Sequence, residues 1–209
     1  LKELAAVYAF YQQLLRDEGC LDFGDLILET LRLFRERPAI LREYQEQFSH
    51  VLVDEFQDTN WAQYELVKQL VAKHRRLTVV GDDDQAIYKF RGASLANILQ
   101  FRDDFPEAKT VALVDNYRSK QEILDVAYRF IRKNDPNRLE TRLGISKRLR
   151  PMAGDGGSVT PRWFASEQAE ADGVVADIEA KKKADPTLSW NDFAILVRSN
   201  EGADPFVRA

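Results

Sequence analysis

"HVLVDEFQDTN", His50–Asn60, sets three small apolar residues directly before an acidic pair and a polar run. Val51–Val53 has the composition of a short buried strand. Asp54 and Glu55 follow at its carboxyl end. In an open parallel sheet, ligands sit beyond the carboxyl ends of the strands. A carboxylate there can hold a magnesium ion, which is usually bound by one or two carboxylates together with substrate phosphates. Neighbours in a regular strand face opposite ways, so both carboxylates serve one site only if the backbone turns here. The polar "FQDTN" predicts such a turn and the start of a helix. Glu55 could then take a proton from an attacking water. Taken alone, the stretch is equally compatible with a solvated acidic strand end.

Upstream of this stretch the period is helical. In "LKELAAVYAFYQQLLRDEG" (1–19), Leu4, Tyr8, Tyr11 and Leu15 recur at helical spacing, and Gly19 is a natural stop. Asp22 can cap a second helix with Leu26, Ile27, Thr30, Leu31 and Phe34 on one face. Pro38 suits the first turn of a third helix carrying Leu41, Tyr44 and Phe48.

Downstream, Tyr64, Val67, Leu70 and Val71 mark a helix, and "LTVV" (77–80) and "TVALV" (110–114) read as further strands. Ser94 can cap a short helix with Leu95, Ile98 and Leu99. Ile123, Leu124, Ala127, Phe130 and Ile131 form an amphipathic helix. Strands alternating with helices predict an α/β fold, a parallel sheet with flanking helices on both faces, preceded by an all-helical segment. Residues 134–157 hold two prolines, four glycines and the basic run Lys147, Arg148, Arg150, and read as a long connection. "SVTPRWFAS" (158–166) predicts a strand, "EQAEADGVVADIEAKKK" (167–183) a helix, and "WNDFAILVRSN" (190–200) a last strand.

The bulk numbers fit a globular protein. Of 209 residues, 44% are hydrophobic and 31% charged. No apolar run approaches the ~18 residues of a membrane span, and no secretory pattern opens the chain. The single cysteine, Cys20, rules out an internal disulfide and fits a reducing, cytoplasmic setting. A net charge of −4 means that any nucleic-acid binding must come from local residues. The chain starts at Leu1 and its one methionine is Met152, so it is expected to be a piece of something longer.

Two more strand ends repeat the layout. "TVVGDDDQAIYKFRGA" (78–93) runs from an apolar stretch through a glycine to an acidic loop, then mixes aromatic and basic residues. Gln85 lies just past the strand end, where its amide could touch a terminal phosphate. Tyr88 and Phe90 alternate with Lys89 and Arg91. Bases of single-stranded nucleic acid stack on such rings at roughly 1–3 kcal/mol each, while cations meet the backbone. Core aromatics are the plainer alternative. "DNYRSKQ" (115–121) ends the third candidate strand. Its Arg118 could meet anionic oxygen bidentately, or pair with a local carboxylate, and Tyr117 offers a ring for stacking.

"VDEFQDTN", "VGDDDQAIYKFRGA" and "NYRS", in this order and spacing, closely resemble the UvrD/Rep/PcrA family of superfamily 1 DNA helicases. "LDFGDLILETLRLF" (21–34) looks like the helical stretch preceding the first of these. "FAILVRSN" (193–200) looks like a strand of the second motor domain. The resemblance implies RecA-like (P-loop NTPase) sheets. It divides the chain into a helical segment at 1–49 (the end of an inserted subdomain), the second half of the first motor domain at 50–110, and the first part of the second at 111–209.

It further implies a motor that hydrolyses ATP between those domains, walks along single-stranded DNA and opens duplex junctions. By similarity, Asp54 binds magnesium, Glu55 activates water and Gln85 senses the γ-phosphate. Tyr117 stacks near the adenine. Arg118 is the arginine finger, a role worth roughly 10³–10⁵ in rate among phosphoryl-transfer enzymes. Tyr88, Phe90, Arg91 and Asn200 line the DNA track. Many relatives carry tryptophan at position 90 and glycine at 89, so Lys89 has no assigned role. Phe90 keeps open a recombination helicase-nuclease of the RecB/AddA type. A non-catalytic module that binds single-stranded DNA is a further alternative.

A phosphate-binding loop needs GxxxxGK[ST]. None of the ten glycines here is followed by lysine. The chain by itself is therefore expected to be inactive as an ATPase.

Overall fold

The computed structural model describes residues 2–87 and 95–209. Three helices open it: α1 (Lys2–Asp17), α2 (Phe23–Glu36) and α3 (Pro38–Gln47). Asp22 caps α2 as expected. Its carboxylate accepts from Asp25 N at 2.8 Å, and the Asp25 carboxylate accepts in return from Asp22 N at 3.2 Å. Pro38 occupies the first turn of α3, where a missing N–H costs nothing. Leu31 and Phe34 are the buried apolar residues of α2.

Strand β1 (Val51–Val53), helix α4 (Trp61–Val71) and strand β2 (Leu77–Val79) follow. β1 and β2 pair in parallel, with Val51 opposite Leu77 and Val53 opposite Val79. The ladder extends to the strand ends, where Val80 N donates to Val53 O and Phe56 N donates to Val80 O, both at 2.8 Å. Asn60 caps α4 reciprocally with Gln63, at 2.9 and 2.8 Å. Helix α5 (Leu95–Asp104) closes this half.

An aromatic core holds these elements together. Phe56 meets Tyr64 edge-on with ring centroids 5.3 Å apart, and Phe101 at 5.9 Å; Phe101 stacks on Phe105 at 5.1 Å. Phe56, Tyr64 and Val71 are fully buried. Tyr64 OH donates to Asp104 at 2.9 Å and so reaches α5. Gln45 Nε2 donates to Gln69 O at 2.7 Å, which joins α3 to the end of α4.

The second half contains β3 (Asp115–Asn116), α6 (Gln121–Ile131), α7 (Leu139–Leu143), β4 (Arg150–Pro151), α8 (Glu167–Ala184) and α9 (Asp204–Arg208). β3 and β4 pair in parallel. Leu124 of α6 and Ala171 of α8 are buried. Phe164 packs over Gly173 of α8: a Cβ there would lie 2.5 Å from Phe164 Cε1, so a larger residue would displace that ring.

Three expectations for this half need correction. Residues 110–114 form no strand; the ladder begins one residue later, at Asp115. Residues 158–166 and 193–199 also form none, and Trp190–Asp192 is a single 3-10 turn. Apolar composition makes a strand only where a ladder partner exists, and among the described residues these segments have none. Val111, Leu113 and Leu196 are accordingly 76%, 79% and 93% exposed. The connection at 134–157, in turn, contains α7 and β4. The observed architecture is helices with two small parallel sheets. No helix among the described residues is long and apolar enough to cross a membrane.

Candidate active site

The chain leaves strand geometry just past β1. Glu55 adopts φ 50°, ψ 42°, the left-handed region that non-glycine residues seldom occupy. This is the turn that the acidic pair required. It lets Asp54 and Glu55 line one cleft of about 1250 Å³ instead of opposite faces of a strand. Glu55 N donates to Asp54 Oδ1 at 2.9 Å. Phe56–Asp58 then make one 3-10 turn before α4.

Gln57 organises the two strand ends and was not singled out in the sequence. It is 1% exposed. Its Nε2 donates to Glu55 Oε2 at 2.6 Å, and its Oε1 accepts from Asp82 N at 3.0 Å. One buried amide therefore joins the acidic turn after β1 to the acidic turn after β2. Gly81 makes room for it: a Cβ at Gly81 would lie 2.9 Å from Gln57 Oε1. The need at Gly81 is for space rather than for an unusual backbone angle.

Asp82 caps the short turn Asp83–Gln85, with its Oδ1 accepting from Asp84 N at 3.1 Å. Gln85 Nε2 donates to Asp82 Oδ2 at 2.8 Å. Glu55 and Gln85 line a smaller recess of about 470 Å³ with Gln57, Asp58, Asp84 and Ile87. Asp58 Oδ1 is buried there without a hydrogen-bond partner among the described residues.

The carboxylates of Asp82, Asp83 and Asp84 lie close enough together to suggest a cation site. A cation is already among them. Lys147 Nζ lies 2.5 Å from Asp82 Oδ1, 2.5 Å from Asp83 Oδ1 and 3.0 Å from Asp84 Oδ2. Burial alone would push the Lys147 ammonium towards neutrality, but its hydrogen bonds to the three aspartates outweigh this and raise its pKa. Burial likewise favours protonated Asp84, and the hydrogen bonds from Arg138 and Lys147 overcome it and hold the carboxyl below its ordinary range.

The remaining expected site residues are not gathered here. Tyr117 is exposed and Arg118 follows it on the surface. Asn116 Oδ1 accepts from Arg118 N at 3.1 Å and from Ser119 N at 2.7 Å, which fixes the backbone of that turn. Neither Tyr117 nor Arg118 lines the cleft that holds Asp54. Asn200 is exposed and opens a separate 3-10 turn. Tyr88, Lys89, Phe90 and Arg91 lie outside the described residues.

Residues 1–106 match the UvrD/REP helicase N-terminal domain, and residues 111–209 match the UvrD-like helicase C-terminal domain. The chain is 41% identical over 197 residues to the "ATP-dependent DNA helicase PcrA" of Leuconostoc citreum, covering 94% of this chain and 25% of that protein. Proteins of the same name from Staphylococcus epidermidis and Staphylococcus aureus are also 41% identical, over 94% of this chain and 26% of theirs. The chain thus spans about a quarter of the length of the curated relatives it matches. With both parts of the chain matched, it belongs to the UvrD/REP helicase family.

Proposed function

We propose that this chain supplies the carboxylate half of the ATP site in a DNA helicase motor that couples hydrolysis to movement on single-stranded DNA and to duplex opening. The fold around that site is read as portions of two RecA-like domains. The observation that carries the reading is the left-handed turn at Glu55, which brings two consecutive carboxylates to one cleft beside Gln85. A turn of this kind costs of order 1–3 kcal/mol and persists where the surroundings hold it.

Asp54 is the residue that would hold Mg²⁺. Its Oδ1 takes the Glu55 N–H, and its second oxygen has no protein partner among the described residues, which suits a hard cation that takes one or two protein carboxylates. When bound with ATP, that ion would neutralise charge on the phosphates.

Glu55 is the general base. Gln57 Nε2 occupies Oε2 and orients the carboxylate, leaving Oε1 to face water. Gln85 is the γ-phosphate sensor, able to trade its bond to Asp82 for one to phosphate. Tyr117 and Arg118 serve as adenine platform and arginine finger, and Asn200 joins Tyr88, Phe90 and Arg91 on the DNA track. The phosphate-binding loop must come from residues other than these, so the 209-residue chain by itself is proposed to be inactive.

The test is Glu55→Gln in the full-length protein. Nucleotide affinity should hold, while hydrolysis falls by about 10²–10⁴, the usual share of a general base. Steady-state turnover within a few-fold of the parent would remove Glu55 from this role.

A further inference from the structure

Gln85 does not project freely from the end of β2. Its amide is folded onto Asp82, and Asp82 belongs to the most highly charged cluster among the described residues. Asp82 offers one oxygen to Gln85 and the other to Lys147. Arg138, 3% exposed, grips Asp84 with a two-pronged contact: Nε to Oδ1 and a terminal nitrogen to Oδ2, both at 2.7 Å. Its third nitrogen donates to Glu140 at 2.7 Å. Leu139 N donates to Asp83 Oδ2 at 2.7 Å. Glu140 Oε1 in turn accepts from Lys147 N at 3.0 Å and from Tyr128 OH at 3.1 Å.

The donors that reach the three aspartates from elsewhere in the chain, Arg138, Leu139 and Lys147, come from the segment after α6, between 54 and 65 residues away in sequence. Four carboxylates face two cations, and burial works against the charges on Asp84, Glu140, Arg138 and Lys147. Apolar residues would usually stabilise such a place as well or better, so a buried ion network argues for a geometric task rather than for stability. If Gln85 swings off Asp82, Lys147 still holds Asp82 through its other oxygen, and the turn keeps its shape.

We propose that Lys147 and Arg138 are positioning residues for Gln85. They hold the Asp82–Asp84 turn rigid while the Gln85 amide exchanges between Asp82 and a terminal phosphate. They also fasten that turn to the segment after α6, so the exchange is felt in the second half of the chain. This rests on the reading of Gln85 as the phosphate sensor.

The experiment is a double-mutant comparison in the full-length protein, following DNA-stimulated ATP hydrolysis. Lys147→Met should lower kcat roughly tenfold and leave the KM for ATP within about threefold. In a Gln85→Ala background the same change should cost nothing further, because Lys147 acts through the amide that is gone. Equal losses in both backgrounds would overturn the proposal and leave Lys147 with a purely structural role. Lys147→Arg covers the case in which Lys147→Met does not fold. It keeps the charge but replaces a point donor with a planar fork, and it must show the same dependence on Gln85. The underlying reading fails differently: Gln85→Ala alone would then leave hydrolysis within twofold of the parent.

Discussion

Gly81→Ala separates this structure from the ordinary behaviour of glycine. At a site with unremarkable backbone angles, replacing glycine by alanine stabilises a protein by about 0.4–1 kcal/mol, because the unfolded chain loses freedom. Gly81 has no positive φ, so a reading from the backbone alone expects that gain. The surroundings predict the opposite sign. The new Cβ would sit 2.9 Å from Gln57 Oε1, 3.3 Å from Gln57 N and 3.5 Å from Phe56 Cβ.

Phe56 and the Gln57 backbone belong to the buried turn, so the amide is what must move. Moving it breaks the bond from Asp82 N and leaves buried polar groups unpaired, at about 1–3 kcal/mol. The net expectation is a loss of about 1–2 kcal/mol, or a Tm lower by about 2–8 °C at this chain length. Differential scanning calorimetry reads this directly. Gln57→Ala on its own should cost a similar amount, and adding Gly81→Ala to it should cost nothing more, because the obstructing amide is gone. A raised Tm for Gly81→Ala alone would refute the close approach of the two turns.

The aromatic core and the ion network make two further predictions. Phe56→Ala removes a fully buried ring that touches Tyr64 and Phe101, and should cost about 3–5 kcal/mol in urea unfolding; a loss under about 1 kcal/mol would mean that Phe56 is not at the centre of the core. Asp84 is held below its ordinary pKa in the folded chain, so its charge contributes stability above the unfolded carboxyl value of about 3.9 and loses that contribution as pH falls through its folded value. Lys147 is raised, so its share is full below about pH 10.4 and is lost only at higher pH. The Tm gap between parent and Asp84→Asn should therefore be widest near neutrality and should narrow towards about pH 3. A constant gap would show that the charge on Asp84 does not matter.

Local signals carried most of what could be read from sequence. Asp22 and Asn60 are caps because a short polar side chain meets its own helix start three residues on, and nothing distant is involved. The turn at Glu55 was required by placing two carboxylates at one strand end. Gln57 was harder. It lies inside the quoted stretch, but only the approach of Gly81 from β2 makes its amide a bridge. Lys147 read only as part of a basic run in a long connection, because its partners are more than sixty residues away and a charge pattern does not encode which carboxylate it will meet. Arg138 left no signal of its own. Residues 110–114 and 190–200 were read as strands from side-chain preference, and that preference is a statement about a partner more than about a backbone.

Those two segments also carry a consequence for pairing between copies of the chain. "TVALV" and "FAILV" are five-residue windows rich in β-forming side chains, with no charge and no proline, and Val111, Leu113 and Leu196 meet solvent. Such windows are templates for pairing between copies. Each is bracketed by charge: Lys109 and Asp115 around the first, Asp192 and Arg198 around the second. Hydration of those four side chains opposes any edge-to-edge alignment, and a parallel, in-register pairing would also set like charges side by side. Neutralising them would remove two contacts, the Asp115–Arg150 ion pair and the bond from Ser189 N to Asp192, and is expected to raise light scattering as copies associate.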